Sequence, residues 1–440
     1  MRRMSKYSYI FESGKYGYFI YNAVTNSFVK IGKDLKERIE QVAVWDEEAL
    51  AQFPKDFQNV LFSHKIIVDE QEDEDYYVKK KYAKFCSAFN PNVLGLTVAT
   101  TTGCNFACPY CYEKGAVAQV MGKEVEDAIV SHVESSTAKM LDVTWYGGEP
   151  LMNFDTIKRL SEAFSKISHL KKVKYSMISN GFFLDEDKAN YLKQYELQSI
   201  QITVDGLAKT HNQSRCAKNG EPTYDRIIRN IDKCSQILTE TTFGIRVNIS
   251  KFNGEEYALL YRELSEKWKE RKNISIYFAF VEDYGQCDVN CYSSSEKIDF
   301  IRELRTKYQI YSRGCYPYSK LSVCIANSAF NYVIAPNGDL YKCWSDIGKE
   351  NRIVGSILTK KIMNYSLVAN YAIAFDKYDD PKCKECFLFP ICDGGCPGHR
   401  YNNVHCGHHH EVCPYELQNI DKILEMIYED YITNVKSGNV

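Results

Sequence analysis

The sequence predicts an α/β protein, because six apolar, β-branched runs alternate with helical patterns between residues 94 and 308. Alternation of this kind produces parallel strands joined by right-handed crossovers. Six strand–helix units predict a partial (βα)6 barrel, TIM-like but incomplete, with functional residues at the C-terminal ends of its strands. The predicted strands are Leu94–Thr101, Val143–Tyr146, Lys174–Ile178, Ser199–Val204, Phe243–Ile249 and Ile274–Phe280.

The helices predicted between and after these strands carry apolar residues at helical spacing. Ile157, Leu160, Phe164 and Ile167, for example, fall on one face of a helix. The predicted helices are Val125–Lys139, Phe154–Ile167, Glu186–Tyr195, Tyr224–Leu238, Glu255–Lys269 and Glu296–Tyr308.

Residues 1–90 have a different texture and predict a separate α+β domain. Three short strands, bounded by turn residues, come first, and three helical patterns follow. The acidic run at 69–75 predicts a solvated linker. The barrel is then expected over 91–310 and a cysteine-rich domain over 311–440. The first domain's elements are predicted at Tyr7–Glu12, Tyr16–Asn22, Ser27–Ile31, Asp34–Val42, Asp46–Phe53 and Pro54–Phe62.

Composition narrows the class of protein. The chain has 440 residues, a formal net charge of −2 and 17 cysteines. The balanced charge implies neither a nucleic-acid nor a membrane-surface partner. The basic N-terminus lacks an apolar signal core, and no apolar run has transmembrane length. We therefore expect a cytoplasmic protein whose thiols are reduced and mostly bind metal.

Three cysteines, Cys104, Cys108 and Cys111, follow the first predicted strand of the barrel in a C-x3-C-x2-C spacing. Such a loop can wrap three thiolates around one face of a [4Fe–4S] cube, leaving one iron open for another ligand. A zinc knuckle or a redox dithiol is the alternative. Zinc would require a fourth ligand nearby, and no Cys or His follows until His132.

This spacing, with an aromatic residue before its last cysteine, resembles the signature of radical S-adenosylmethionine (SAM) enzymes. The resemblance implies that the open iron binds SAM and that SAM cleavage releases a 5′-deoxyadenosyl radical. It also implies SAM-contact residues after successive strands. These are Tyr110 in the loop, the GGEP-like motif Gly147, Gly148, Glu149 and Pro150, then Ser179 and Asn180, and Arg215 in a D-G-x4-H-x3-R pattern.

A second group of cysteines lies in the last third of the chain. A zinc ribbon would explain four of them and leave four over. Their pattern, with Gly338 five residues before Cys343, resembles the SPASM domain of radical SAM enzymes, which implies two auxiliary [4Fe–4S] clusters. One set would be Cys315, Cys324, Cys343 and Cys396, with Cys315 outside the core pattern. The other would be Cys383, Cys386, Cys392 and Cys413.

Two activities compete among enzymes of this kind. Anaerobic sulfatase maturases, which form formylglycine, carry a catalytic Asp directly after the Gly-x4-Cys cysteine. Trp344 stands there, and Asp346 is expected on the other face of an extended strand. Residues 1–90 resemble a winged-helix leader-recognition domain, which would bind a leader peptide by strand addition or serve only as a cap.

These features favour a maturase that installs a thioether or carbon–carbon crosslink, or a related modification, on a ribosomally made precursor peptide. The resemblance implies three clusters, SAM, a precursor peptide with a leader, and a low-potential donor such as flavodoxin or ferredoxin. A non-catalytic metal or electron-transfer protein is the alternative of another class, and it leaves the GGEP-like motif unexplained.

Overall fold

The computed structural model describes residues 1–111, 113, 115, 117–282, 291–311 and 324–436. Its strands are β1 (Arg2–Met4), β2 (Ser8–Ser13), β3 (Gly17–Asn22), β4 (Ser27–Ile31), β5 (Ile67–Asp69), β6 (Val93–Thr101), β7 (Met140–Gly147), β8 (Lys172–Ser179), β9 (Leu197–Thr203), β10 (Thr242–Ile249), β11 (Ile274–Phe280), β12 (Asn331–Ile334), β13 (Asp339–Tyr341), β14 (Gly355–Ser356) and β15 (Lys361–Ile362). Its helices are α1 (Lys33–Gln41), α2 (Glu47–Ala51), α3 (Lys55–Ser63), α4 (Glu70–Ala88), α5 (Lys123–Ser135), α6 (Phe154–Ser165), α7 (Glu186–Leu192), α8 (Ala208–Ser214), α9 (Tyr224–Ile237), α10 (Tyr257–Lys267), α11 (Ser294–Thr306), α12 (Tyr365–Ala369), α13 (Pro381–Lys384), α14 (Pro397–His405) and α15 (Ile420–Lys436).

The chain forms two compact units. The first comprises Met1–Ala88, Ser294–Cys324 and Ile373–Val440, and the second comprises Phe89–Ser293 and Ile325–Ala372. Residues 311–440, expected as one C-terminal domain, are distributed over both units.

The second unit is built on a sheet in which β6 to β11 lie side by side in chain order. All five pairings among these six strands are parallel, as the alternating pattern predicts. The other neighbour of β6 is β12 and not β11, so these six strands do not close into a full barrel, and β12 to β15 extend the sheet beyond β6. The parallel order places the C-terminal ends of β6 to β11 along one edge.

The helices of this unit cover one face of the sheet with the apolar stripes that their spacing predicts. Ile157, Leu160 and Phe164 of α6 are almost completely buried. Cys234 of α9 is also fully buried, which confirms that it serves packing. The opposite, inner face carries more polar side chains, among them Thr144, Arg246 and Asn248, because strand residues alternate between faces.

The first unit contains the antiparallel sheet β2–β3–β4 and the pair β1–β5. The six elements predicted over residues 7–62 all form, with ends shifted by a few residues. Alternation within β3 directs Ile20 into a core with Trp45 and Leu61, while Phe19 packs on Tyr428 of α15, with 4.5 Å between ring centroids. Both faces of this sheet are therefore covered.

The prediction of a linker at 69–75 is wrong, because all but the first of these residues lie in α4, although all of them except Asp73 are exposed to solvent as predicted. Acidic residues in a first turn are favourable there, since the N-terminal end of a helix carries positive potential. Asp73 is buried and accepts hydrogen bonds from Ser5 Oγ (2.8 Å) and the Lys6 N–H (2.9 Å). Within this acidic run, Asp73 thus has a structural role that the sequence pattern did not indicate.

Within the described residues, no helix combines the length and apolarity that a membrane-spanning segment requires.

Candidate functional site

The predicted site residues of the second unit lie where successive parallel strands end. Cys104 follows β6 by three residues, Gly147 ends β7, Ser179 ends β8 and Asp205 follows β9. Parallel register brings these ends to one edge of the sheet.

The cysteine loop is held by backbone bonds to a segment distant in sequence. The Ala107 N–H donates to the carbonyl of Cys216, and the Lys218 N–H donates to the carbonyl of Asn105, each at 2.9 Å. At the start of the loop, the Gly103 N–H donates to Thr101 Oγ1 at 2.9 Å. These bonds fix the path of the chain that carries Cys104, Cys108 and Cys111.

The three thiols of this loop are electrostatic neighbours in a buried setting. Burial raises the pKa of Cys108 to about 11, and the neighbouring Cys111 and Cys104 contribute to the rise. Iron binding would therefore have to displace the protons of these thiols. In the described part of the chain, no three His, Cys, Asp or Glu side chains converge closely enough to hold a single metal ion. A cube binds each thiolate to a different iron and so needs wider spacing than one zinc ion does.

The GGEP-like motif packs directly on the cysteine loop. The Gly148 N–H donates to the carbonyl of Thr101 (2.9 Å), and the Glu149 N–H donates to that of Gly103 (3.0 Å). Gly147 has a φ of +130°, and a Cβ there would lie 2.1 Å from the Thr101 oxygen. A Cβ on Gly148 would lie 2.4 Å from the Gly103 oxygen. The two glycines allow a backbone approach that a side chain would block.

Glu149 joins the ends of β7 and β8. Its fully buried carboxylate accepts hydrogen bonds from Ser179 Oγ (2.8 Å), the Asn180 N–H (2.7 Å) and the Leu151 N–H (3.0 Å). Burial raises the pKa of Glu149, and these hydrogen bonds act in the opposite direction. The Asn180 amide donates to Asn105 Oδ1 at 2.8 Å, so the same network reaches the cysteine loop.

Tyr110 stands in a buried polar cluster with Asp205, Arg215 and Asn248. Its hydroxyl donates to Asp205 and accepts from Arg215 Nη1 at 2.7 Å. Arg215 also lies 3.7 Å from Asp205 Oδ2, and the Asn248 amide donates to the Tyr110 hydroxyl at 3.4 Å. Burial raises the pKa of Asp205, while Arg215 opposes the rise. The Arg215 guanidinium, which is buried directly after α8, is of a kind that suits a carboxylate ligand.

Comparison with known proteins agrees with this geometry. Residues 98–264 match the sequence family described as the radical SAM superfamily. They form a radical SAM domain. The match begins within β6 and ends within α10, so it contains the cysteine loop and all the strand-end residues described above.

Two curated relatives show how far the likeness extends beyond this domain. The radical SAM cyclopropyl synthase TigE of Paramaledivibacter caminithermalis is 24% identical over 212 residues, 44% of this chain and 43% of that protein. The match thus spans less than half of the length of that relative. The cysteine-type anaerobic sulfatase-maturating enzyme of Clostridium perfringens is 21% identical over 332 residues, 67% of this chain and 86% of the relative.

Solved structures confirm the α/β fold with its parallel central sheet. Native anSMEcpe with bound AdoMet and the Kp18Cys peptide has a TM-score of 0.60 and 20% identity, covering 79% of this chain and 100% of that chain. Streptococcus suis SuiB bound to precursor peptide SuiA has a TM-score of 0.51 and 16% identity, covering 92% and 97%.

Arg246 of β10, which no sequence motif marked, lies on the inner face of the radical SAM domain. Its Nε donates to Asn248 Oδ1 at 2.8 Å, and Asn248 belongs to the polar cluster around Tyr110. In the register of β10 it stands between Thr203 of β9 and Tyr277 of β11. The residue lies within an apolar run, so only its alternation with Ile245 and Val247 could have marked it.

Cys343 and its neighbours also belong to the second unit. Trp344 stacks on Tyr146 of β7, with 5.8 Å between ring centroids. The expectation of an extended strand here is wrong, because Trp344–Asp346 form a 3-10 turn. Asp346 is buried and accepts a hydrogen bond from the Tyr371 hydroxyl at 3.0 Å.

The four cysteines predicted as one auxiliary set, Cys383, Cys386, Cys392 and Cys413, all lie in the first unit. Burial raises the pKa of Cys386, and the neighbouring Cys383 and Cys413 contribute to the rise. Burial likewise raises the pKa of Cys392, to which Cys386 contributes. The members of this set are therefore electrostatic neighbours.

The other predicted set is divided. Cys324 and Cys396 belong to the first unit and Cys343 to the second, while Cys315 lies outside the described residues. This set stays a prediction.

Proposed function

We propose that this protein is a radical SAM maturase that modifies a ribosomally made peptide through a hydrogen-abstraction step. The observation that carries the proposal is the direct packing of the GGEP-like motif on the cysteine loop. It places three thiols, a buried carboxylate and a buried guanidinium at one edge of the parallel sheet.

In this proposal Cys104, Cys108 and Cys111 hold a [4Fe–4S] cluster, and SAM binds beside it. When bound, the two supply a 5′-deoxyadenosyl radical. Glu149 and the Asn180 region present polar groups to the SAM amino acid moiety and ribose, and Arg215 faces its carboxylate. The buried setting of these groups keeps water away from the reaction.

The substrate is proposed to be a peptide on two grounds. Trp344 occupies the position at which sulfatase maturases carry an Asp, and Asp346 is buried in a bond to Tyr371. The likeness to SuiB extends over 92% of this chain, whereas that to anSMEcpe extends over 79%. Arg246, Tyr146 and Trp344 are then the proposed substrate-facing residues.

Sulfatase maturation is the second candidate. It is favoured by the extent of the match to the Clostridium perfringens relative, 86% of that enzyme's length. It requires a base for the substrate thiol or hydroxyl, and the described geometry offers no free Asp next to Cys343.

A binding site for the leader peptide is proposed at the edge of β4. This strand pairs only with β3 among the described strands, so its outer backbone groups are available to an added strand of a leader peptide. Two auxiliary clusters, with the ligand sets predicted above, complete the proposed cofactors, and a flavodoxin or ferredoxin would supply electrons.

The test of the reaction class uses the full chain reconstituted with iron and sulfide under anaerobic conditions. Reduced protein with SAM should yield 5′-deoxyadenosine, and Cys104→Ala should abolish it. Cys86→Ala is the matched control, since Cys86 is an exposed residue of α4. Absence of 5′-deoxyadenosine from iron-loaded wild-type protein would refute the proposal.

The substrate class is tested by competition between two kinds of peptide. One is a sulfatase-derived peptide with the target Cys, and the other is a candidate precursor with its leader. Mass change only in the precursor supports the peptide maturase, and formylglycine in the sulfatase peptide refutes it. If the leader acts through β4, Val29→Pro should raise the KM for the precursor without changing that for a leaderless core peptide.

A further inference from the structure

Arg400 is held in a fixed orientation beside one of the cysteines of the first unit. Its Nη1 donates to Asp380 Oδ2 at 2.7 Å, and its Nε donates to the carbonyl of Gly394 at 2.8 Å. Its Nη2 lies 3.3 Å from Cys383 Sγ. Because two bonds fix the planar guanidinium, the third nitrogen is directed at the sulfur.

Further donors surround the same four cysteines. The Gly394 N–H donates to Cys392 Sγ at 3.2 Å, and the backbone N–H of Leu388 opposes the rise that burial causes in the pKa of Cys386. Lys377 Nζ donates to the carbonyl of Cys392 at 2.6 Å. Two of the four sulfurs, those of Cys383 and Cys392, therefore accept hydrogen bonds from groups of this unit.

Carboxylates offset the positive charges of Arg400 and Lys377. The direct hydrogen bonds to sulfur therefore distinguish these cysteines from those of the radical SAM domain. Asp380 pairs with Arg400, and Asp393 acts on both Lys377 and Cys392. The charge-assisted bond from Arg400 to Cys383 is short enough to remain effective beside this pairing.

At Cys104, in the cysteine loop of the radical SAM domain, the contacts to sulfur are longer and come from uncharged donors. Cys104 Sγ accepts from the Phe106 N–H at 3.4 Å and lies 3.8 Å from the Asn180 amide. The buried carboxylates of Glu149 and Asp205 act on Cys104 and Cys108, and Arg215 is the cation that opposes them.

We propose that Arg400 donates a hydrogen bond to the Cys383 thiolate of an iron–sulfur cluster and thereby keeps the reduction potential of that cluster above that of the Cys104 cluster. The proposal rests on the proposed cluster function. Hydrogen bonds to the sulfurs stabilise the reduced, more negative state of a cluster and raise its potential. Arg400 is a positioning residue in this sense, since it acts through Cys383.

The test is a redox titration of the reconstituted full chain, followed by electron paramagnetic resonance with dithionite as reductant. Arg400→Gln should retain iron, and the midpoint potential of one cluster should fall by at least about 59 mV, a tenfold change in its one-electron equilibrium. Arg302→Gln is the matched control, because Arg302 lies on α11 of the same unit with a half-exposed side chain. It should leave all midpoints unchanged.

Unchanged midpoints in iron-loaded Arg400→Gln would overturn the proposal. If that variant loses iron, Arg400→Lys decides. Lysine keeps the charge but not the planar fork, so a retained cluster with a lowered potential supports the proposal, and a wild-type potential overturns it. Cys383→Ala distinguishes failure of the proposed Cys383 cluster from failure of the proposed radical SAM reaction. Wild-type iron content and spectra in Cys383→Ala would show that no cluster exists there, while the 5′-deoxyadenosine assay would still stand.

Discussion

The packing of the GGEP-like motif on the cysteine loop leads to a prediction for Gly148→Ala. Gly148 has an ordinary φ, so the change adds a contact and no backbone strain. The new Cβ would lie 2.4 Å from the Gly103 oxygen and 2.7 Å from the Thr102 oxygen, while real Cβ contacts stay beyond 3.0 Å. The loop must therefore move by 0.6 Å, the difference between 3.0 and 2.4 Å.

This displacement acts on atoms that are already bonded. The Gly103 oxygen accepts the Glu149 N–H, so relief of the contact lengthens that bond. Overpacking costs about 1–3 kcal/mol and a weakened hydrogen bond about 1 kcal/mol, so the free energy of unfolding should fall by about 2–4 kcal/mol. Iron binding by the loop should fall with it.

Urea denaturation and iron content of the reconstituted chain measure both effects. Gly14→Ala is the control, because a Cβ there meets nothing within 4 Å. It should change the free energy of unfolding by less than about 0.5 kcal/mol. The reasoning is refuted if Gly148→Ala retains wild-type stability and iron content, or if both variants lose the same stability.

Three further predictions concern single side chains. Burial, with Arg215, lowers the pKa of His211 to about 3. The unfolded chain therefore binds one more proton between about pH 6.5 and 3, and this stability is full above pH 6.5 and lost as the pH falls. Between pH 6.5 and 5 the free energy of unfolding should fall by about 2 kcal/mol more for wild type than for His211→Gln, and equal falls would contradict the burial argument. Glu149→Gln should weaken SAM binding at least tenfold in equilibrium dialysis, because it removes a charged acceptor of three hydrogen bonds. An unchanged Kd would show that this carboxylate does not contribute to SAM binding. Asp73→Ala should lower the free energy of unfolding by about 2 kcal/mol, because it removes the acceptor of two hydrogen bonds. Asp75 is exposed, so Asp75→Ala should lower it by less than about 0.5 kcal/mol. Equal effects of the two variants would mean that Asp73 has no structural role.

Patterns of short range predicted most of the secondary structure. Period-2 and period-3.6 spacing located β6 to β11 and the helices that follow them, because each element must direct its apolar residues to one face. Short-range patterns failed at 69–75, where the run of acidic residues suggested a linker and the chain forms the start of α4. Asp73 is buried because it accepts hydrogen bonds from Ser5 and Lys6, which are distant in sequence.

The sequence by itself determined the chemistry available to this protein. The spacing of Cys104, Cys108 and Cys111 and the small residues Gly147 and Gly148 are properties of neighbouring positions, and they predict a site without any knowledge of distant contacts. The α/β class follows in the same way from local periodicity.

Only the tertiary structure decided which groups meet. Arg400 lies 17 residues from Cys383, and Tyr110 lies 105 residues from Arg215, yet each pair is in hydrogen-bond contact. Local spacing carries no information about such contacts, because they depend on how helices and strands pack. The electrostatic surroundings of each thiol, which set its pKa and its redox properties, therefore emerge only when the chain is folded.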